Sequence, residues 1–417
     1  MKILLKNATI IDSKSPFNFS KKDILLNNGL IQSISENIID NDAQKIVKDN
    51  LHVSLGWFDP SVCFGEPGFE ERETIENGLR TAGLSGFTRI GLNPNTNPVI
   101  DNIAGVKNLI QSSIHSPTKI HPIATFSKKQ KGEELAELND LNRNGAIGFF
   151  DYKKSIINSN LLKIGLQYSQ KFNGIIFSYP FDRQFGLNGL INEGITSTRL
   201  GLKGIPKLSE IIQIKRDIEI LKYAGGNLLI PFLSTKESVD LIRKAKKNGL
   251  SIFSTVSIMH LLFSDSLIED FDENFKFFPP LRTKEDSESL KKGLIDGTID
   301  MVTSMHEPIN KELKKLPFVD SSAGSIGLEV LFGVLGRLFP IEKTIQILTR
   351  GPKCFNLDSP EINEGYKANL TLFCPDTNWI FTSSSIKSKS KNCAFINQEL
   401  CGKVYGVLND NKLLIEE

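Results

Sequence analysis

From about residue 52 to residue 305 the chain alternates two kinds of segment. Short runs are apolar nearly end to end, and longer stretches place apolar residues three and four positions apart. The short runs are HVSLGWFDP, GFTRIGLNP, KIHPIATF, GAIGFFDY, GIIFSYP, GNLLIPFLST, LSIFSTVS and DMVTSM. Between them lie ETIENGLRTAGLSG, GEELAELNDLNRNG, LSEIIQIKRDIEILKYAGG and KESVDLIRKAKKNG. In the last of these, Val239, Ile242 and Ala245 share one helical face, and Gly249 is placed to stop the helix. Strands that are apolar along their whole length are buried on both faces, as a parallel sheet wrapped by helices demands. Eight of them alternating with helices predict an α/β fold of the (β/α)8 TIM barrel type. A doubly wound open sheet is the competitor, but no G-x-G-x-x-G follows the early strands to support a dinucleotide site.

The two ends read differently. KILLKNATII and DILLNNGLIQSIS, with a break at Asn27-Asn28-Gly29, are short strands with turns. NLTLFCP and KVYGVLNDNKLLI, turning at Asn409-Asp410-Asn411, are their counterparts near the other end. The expected organisation is a composite β-sandwich built from residues 1–51 and 352–417 around a barrel of residues 52–351. The Ser/Lys-rich stretch SSSIKSKSKN (383–392) reads as a solvated loop.

Charge narrows the function classes. The 50 basic and 48 acidic residues are interspersed, so no basic face for nucleic acid is expected. The opening MKILLKNATIIDSK has no apolar core of signal-peptide length, and no later run is long enough to span a bilayer, so the expected location is the cytoplasm. Cys63, Cys354, Cys374, Cys393 and Cys401 are odd in number and never form C-x-x-C, which points away from a disulfide framework or a zinc knuckle.

In a barrel of this kind the chemistry sits at the carboxyl ends of the strands. Those positions hold Ser61, Cys63, Asn95, Asp151, Ser178, Phe232, Ser257 and Met305: one carboxylate and no histidine. Six stretches, EPGFEERETIENG, NPNTNPVID, LGLKGIPKLSE, LSTKESVDLIRKAKKNGL, PPLRTKEDSESLKKGLIDGTIDM and SSAGSIGLE, resemble in order and spacing the dihydroorotases of the cyclic amidohydrolase superfamily. The resemblance implies a zinc-dependent barrel that interconverts carbamoyl-aspartate and dihydroorotate in pyrimidine synthesis.

The residues that the resemblance makes functional are mostly replaced. The family's first strand ends in Asp, His-x-His, Arg and Pro-Gly, and here the same places hold Asp59, Ser61, Cys63, Gly65 and Pro67-Gly68. The later histidine ligands fall at Ser178 and Phe232, the proton-carrying acid at Met305, and the arginine that grips the substrate carboxylate at Gly65. An expected asparagine is Phe278 and an expected histidine is Ile309. Asp151 matches one family acid as a residual metal candidate, and Asn95 persists at a substrate-binding position.

Residues two apart on a strand point the same way, which is why His-x-His grips one ion. Without those imidazoles zinc has no seat, and no cofactor is expected. Since Phe232, Phe278, Met305 and Ile309 are all apolar, they are expected to fill the vacated space. The leading reading is therefore a dihydroorotase-like protein without catalysis, with a scaffolding or regulatory role. By the family analogy its partner is an aspartate transcarbamoylase or an active dihydroorotase, and the chain is expected to be a homo-oligomer. The second reading is an active dihydroorotase or related cyclic amide hydrolase with a displaced site of Cys63, Asp151 and His306. A third is a small-molecule sensor retaining Asn95. Against these, His260 and His306 read as structural, Cys63 as a buried small hydrophobe, Asp59 as a cap or brace of the strand end, Asn95 as a turn residue, and Asp151 as a partner of Lys153 and Lys154 or a solvent-facing carboxylate.

Overall fold

In a computed structural model that describes residues 1–416, the apolar runs form eight barrel strands. They are Trp57–Val62, Phe87–Leu92, Lys119–Ala124, Gly148–Phe149, Ile175–Phe177, Asn227–Ile230, Ile252–Ser257 and Met301–Thr303. Each pairs in parallel with its neighbour in chain order. Almost all of their residues are buried, which is why these runs show no alternation of apolar and polar positions.

Helices cover the outside. Lys236–Lys247 buries the predicted face of Val239, Ile242 and Ala245 and starts at Thr235, whose side chain accepts from the Ser238 N–H. Lys207–Ala224 ends at Gly225, whose φ of 71° suits glycine. The stretch GEELAELNDLNRNG yields a helix only over Leu138–Arg143. Its first half is instead drawn alongside the segment before it: Lys128 N–H donates to Glu134 O at 3.0 Å and Ala136 N–H to Phe126 O at 3.0 Å.

Strands from both ends of the chain share a second sheet, in the order Lys412–Ile415, Glu399–Asn409, Asn369–Ile380, His52–Leu55, Lys2–Ile11, Lys21–Asn27 and Leu30–Ser35, with Gln44–Ile46 beside Lys2–Ile11. The turns at Asn28-Gly29 and Asp410-Asn411 take positive φ at both central residues, the geometry that tight antiparallel hairpins favour. HVSLGWFDP, expected as one strand, is two: His52–Leu55 belongs to this sheet and Trp57–Val62 opens the barrel. Gly56 between them passes so near Thr88 and Asn369 that a Cβ would collide with both. Trp57 packs on Phe332 at 4.6 Å and on Phe373 at 5.7 Å between ring centroids, joining barrel to sheet. Among the described residues no helix is long and apolar enough to cross a membrane.

The barrel closes where the last strand meets the first, and a side chain makes the seam. Asp59 accepts from Thr303 Oγ1 at 2.6 Å and from the Ser304 N–H at 2.9 Å, and the Cys63 N–H donates to the His306 carbonyl at 2.9 Å. Burial pushes the Asp59 carboxyl above its ordinary range, while the hydrogen bonds from Ser304 and Thr303 pull it back.

Replacing Asp59 with Ala strands the Thr303 hydroxyl and the Ser304 N–H, and is expected to cost about 3 kcal/mol of stability. Thr303→Val, which removes one hydrogen bond, is expected to cost about 1 kcal/mol. Urea unfolding midpoints of the two variants should fall in that order; equal midpoints would contradict the seam.

Candidate active site

Ser61 and Cys63, two residues apart at the end of the first strand, are tied to one amide. Asn93, following the second strand, donates to Ser61 Oγ at 2.9 Å and to Cys63 Sγ at 3.5 Å. All three are buried. Burial first, and Glu307 next, push the Cys63 thiol up to about 12, which disfavours the thiolate at neutral pH.

Ser178 donates to Asp217 at 2.6 Å, and that carboxylate also accepts from Arg216 at 2.8 Å, which turns Ser178 toward the helix Lys207–Ala224. Phe232 and Met305 lie in the core, with backbone φ of 57° and 45°. A bulky residue in this left-handed region costs roughly 1–2 kcal/mol. The conformations are held by Phe232 N–H to Thr255 Oγ1 at 3.0 Å and by Met305 N–H to Thr303 Oγ1 at 3.0 Å.

Phe232 is the centre of an aromatic series across the barrel mouth. Its ring centroid is 6.5 Å from Tyr152 and 6.5 Å from Tyr179; Tyr179 is 5.8 Å from Phe278, and Phe278 is 4.6 Å from Phe181. Tilted and edge-on pairs of this sort each add about 0.5–1.5 kcal/mol beyond the burial of their surface. Ile309 is buried with its N–H bonded to Asn392 at 3.0 Å. Gly65 has a φ of 100°, and a Cβ there would come 3.0 Å from the Phe69 carbonyl oxygen, so the loop is shaped for glycine and rejects an arginine. Asn95 is half-buried with its Oδ1 unpartnered, and the turn around it is fixed instead by Thr96 Oγ1 donating to Pro98 O at 2.8 Å.

The Asp151 carboxylate pairs with neither Lys153 nor Lys154, contrary to expectation, and only its backbone carbonyl meets the Lys154 N–H, at 2.9 Å. It accepts the N–H groups of Phe126 and Ser127, both at 3.0 Å, and the Ser127 hydroxyl, fastening the loops after the third and fourth strands. Lys154 donates to the Gln130 carbonyl at 3.2 Å. Lys153 pairs with Glu307, and both side chains are mostly buried, at 14 % and 16 % exposed. Its ammonium lies 5.5 Å from the Tyr152 ring centroid, so an organic ion pair stands at the mouth beside Cys63 and Tyr152.

The residues present do not fit a zinc centre, which takes four N, S or O donors in its structural form and three plus a water in its catalytic one. Among the described residues no three His, Cys, Asp or Glu side chains converge as a metal site. The constellation of Cys63, Asp151 and His306 is not assembled either. The thiol is neutral, Asp151 is spent on residues 126 and 127, and His306 Nδ1 accepts the Gly327 N–H at 3.2 Å. His260 is likewise enclosed, 2.6 Å from Ser257 Oγ and 3.2 Å from the Pro280 carbonyl.

The stretch SSSIKSKSKN is not a solvated loop. Ser388, Ser390 and Asn392 are buried while Lys389 and Lys391 face outward. Glu329 accepts the N–H groups of Lys387 at 2.6 Å and Ser388 at 3.0 Å, and Ser390 donates to Arg72 O at 2.7 Å. Asn392 reaches the Glu307 carbonyl at 3.0 Å, so this strap from the terminal sheet braces the mouth.

Sequence reasoning missed Asn93, Tyr152, Tyr179 and Glu307. Each stands within a few residues of a strand's carboxyl end, and that position was the available signal.

The fold and a mouth built on strand ends define an amidohydrolase-type α/β barrel. Superposition agrees: the L-hydantoinase (dihydropyrimidinase) of Arthrobacter aurescens matches with a TM-score of 0.85 at 19% identity, covering 99% of this chain and 96% of that one. A dihydropyrimidinase from Brevibacillus agri NCHU1002 matches at 0.82 and 18%, covering 100% of this chain and 95% of that one. At these identities the likeness speaks for the fold alone. Sequence goes further. The family model described as dihydro-orotase-like matches residues 52–238. The dihydroorotase of Caldanaerobacter subterraneus subsp. tengcongensis is 35% identical over 97% of this chain and 95% of its own length. That of Caldicellulosiruptor saccharolyticus is 36% identical over 99% and 98%. The chain belongs to the dihydroorotase family of cyclic amidohydrolases, related to pyrimidine synthesis.

Burial holds His306 down at about 3 and His260 at about 4. The unfolded chain takes up both protons below pH ~6.5 while the folded one does not, so stability falls as pH drops from there toward 4. At pH 5 each histidine is expected to cost about 2 kcal/mol relative to pH 7. Urea unfolding across this range should show the loss, and His260→Gln should remove one share of it; an unchanged slope would refute the assignment.

Proposed function

We propose that this chain is a dihydroorotase-family protein that does not hydrolyse cyclic amides and serves as a non-catalytic partner in pyrimidine synthesis. Opening a cyclic amide near neutral pH takes a polarised carbonyl and a strong nucleophile, which a catalytic zinc supplies by lowering the pKa of its water to about 7. A carboxylate then carries the proton, a step commonly worth about 10² to 10⁴ in rate. The observation that carries the reading is the occupancy of the mouth by the aromatic series around Phe232 and by the Lys153–Glu307 pair. Met305, where the proton-carrying acid would stand, has no group to titrate.

The match over nearly the full length of two dihydroorotases supports a role that rests on the barrel as a whole. The partner assigned by this reading is a catalytic protein of the same synthesis, an aspartate transcarbamoylase or an active dihydroorotase. It acts by holding or adjusting that subunit.

Purified full-length protein, assayed in both directions with carbamoyl-aspartate and dihydroorotate and with zinc added, is expected to give rates at background and substoichiometric bound zinc. Zinc-dependent turnover would overturn the reading. Affinity capture from the native organism is expected to recover a transcarbamoylase or a second dihydroorotase; recovery of neither would remove the scaffolding role.

A further inference from the structure

A cavity of about 680 Å³ opens at the end of the barrel opposite the mouth, where the strands Lys119–Ala124, Gly148–Phe149 and Ile175–Phe177 begin. That volume lies in the range of roughly 300–1,000 Å³ that accepts small organic ligands. Ile110, Ile147, Phe172, Phe355 and Leu357 supply apolar wall. Both rings are anchored. Phe355 lies 5.6 Å from Phe58 and 6.1 Å from Phe177, and Phe172 lies 6.1 Å from Phe149, between centroids. The walls are thus preformed for a flat apolar ring, which lowers the cost of ordering them on binding.

Most polar groups on the lining are already engaged. Ser113 Oγ donates to the Ile110 carbonyl at 2.9 Å and accepts the Ile120 N–H at 3.2 Å, and Asn173 Oδ1 accepts from Asn227 at 2.8 Å. His121 is different. Its Nε2 is buried with no hydrogen-bond partner. No protein hydrogen bond among the described residues fixes which of its ring nitrogens carries the proton, so the imidazole is free to donate or to accept.

Charge says what the cavity fits. Burial first, and the Arg89 charge next, lower His121 to about 4, which leaves the ring neutral at pH 7. The charged side chains on the lining are Lys119 and Asp410, and they pair with each other at 3.4 Å. Of the cations nearby, Arg89 donates to the Asp358 carbonyl and Lys412 to that of Ile114. The interior is neutral and the edge neutralises itself, so an ionic ligand would give up water without gaining a counter-ion. Carbamoyl-aspartate and dihydroorotate are both carboxylates and do not suit it.

We propose that this floor cavity binds an uncharged aromatic or heteroaromatic small molecule, packed on Phe172 and Phe355 and hydrogen-bonded to the His121 imidazole. The site is independent of whether the barrel is catalytically silent, since none of its residues belongs to the aromatic series around Phe232 or to the Lys153–Glu307 pair.

Calorimetric titration of the full-length protein with indole, a neutral ring carrying one N–H, tests it. One site per chain is expected, with an affinity of about 1 mM or tighter. His121→Leu is expected to weaken indole roughly fivefold and to leave 1-methylindole, which has no N–H to donate, no weaker than before. Ile114 lines the cavity and is 45 % exposed, so Ile114→Trp fills its entrance without disturbing the core. That variant is expected to keep the native melting temperature and to weaken both ligands by at least about tenfold. An excess of dihydroorotate is expected to leave indole in place. A cavity that holds water alone, with no saturable indole binding, overturns the proposal. Displacement of indole by dihydroorotate overturns it too, as does an indole affinity that both substitutions leave unchanged.

Discussion

Asp59 stands where the eighth strand must meet the first, and the geometry of the mouth depends on that meeting. Seven of the eight strand junctions are backbone ladders, which tolerate many side chains. The remaining one relies on a buried carboxylate that accepts from residues 244 and 245 positions away in the chain. The same seam sets Cys63 against His306 and so brings Glu307 within reach of Lys153. A barrel open at this point would still have strands and helices, but its two ends would no longer agree on where the mouth is.

The buried acids of this protein are fasteners. Asp59, Asp151, Asp217 and Glu329 all have carboxyls raised by burial and then drawn back by several N–H and O–H donors. Each links segments distant in sequence: the first strand to the last, one mouth loop to the next, a strand end to its covering helix, the barrel to the strap. A buried charge is tolerable when its hydrogen-bonding capacity is filled, and costly when a partner is missing. That rule accounts for the Lys153–Glu307 pair as well. At the mouth one cation and one anion neutralise each other, with aromatic rings around them.

The barrel was legible because strands buried on both faces leave continuous apolar runs, and every such run formed a strand. The boundary inside HVSLGWFDP was not, since Gly56 marks a change of sheet that only the approach of Thr88 and Asn369 explains. The positions of Ser61, Cys63, Phe232 and Met305 at strand ends followed from the same pattern, but their partners did not. Lys153 and Glu307 are 154 residues apart, with no local signal connecting them. Asp151 was assigned the nearest lysines in sequence and instead took the amides of a neighbouring loop, because a strand end faces the adjacent strand's loop more closely than its own. The strap misled for a related reason. Alternating Ser and Lys look hydrophilic throughout, whereas an extended segment buries every second residue, and here the small hydroxyls are the ones that go inward.

The left-handed backbones at Phe232 and Met305 have an implication for the protein's evolvability. Neither side chain favours that conformation, and both are kept in it by threonine hydroxyls of the seventh and eighth strands. The peptide framework at these two places is thus preset independently of the side chains it carries. Polar groups substituted there would emerge along fixed directions without loop rebuilding, whereas at Gly65 the backbone itself disfavours any larger side chain.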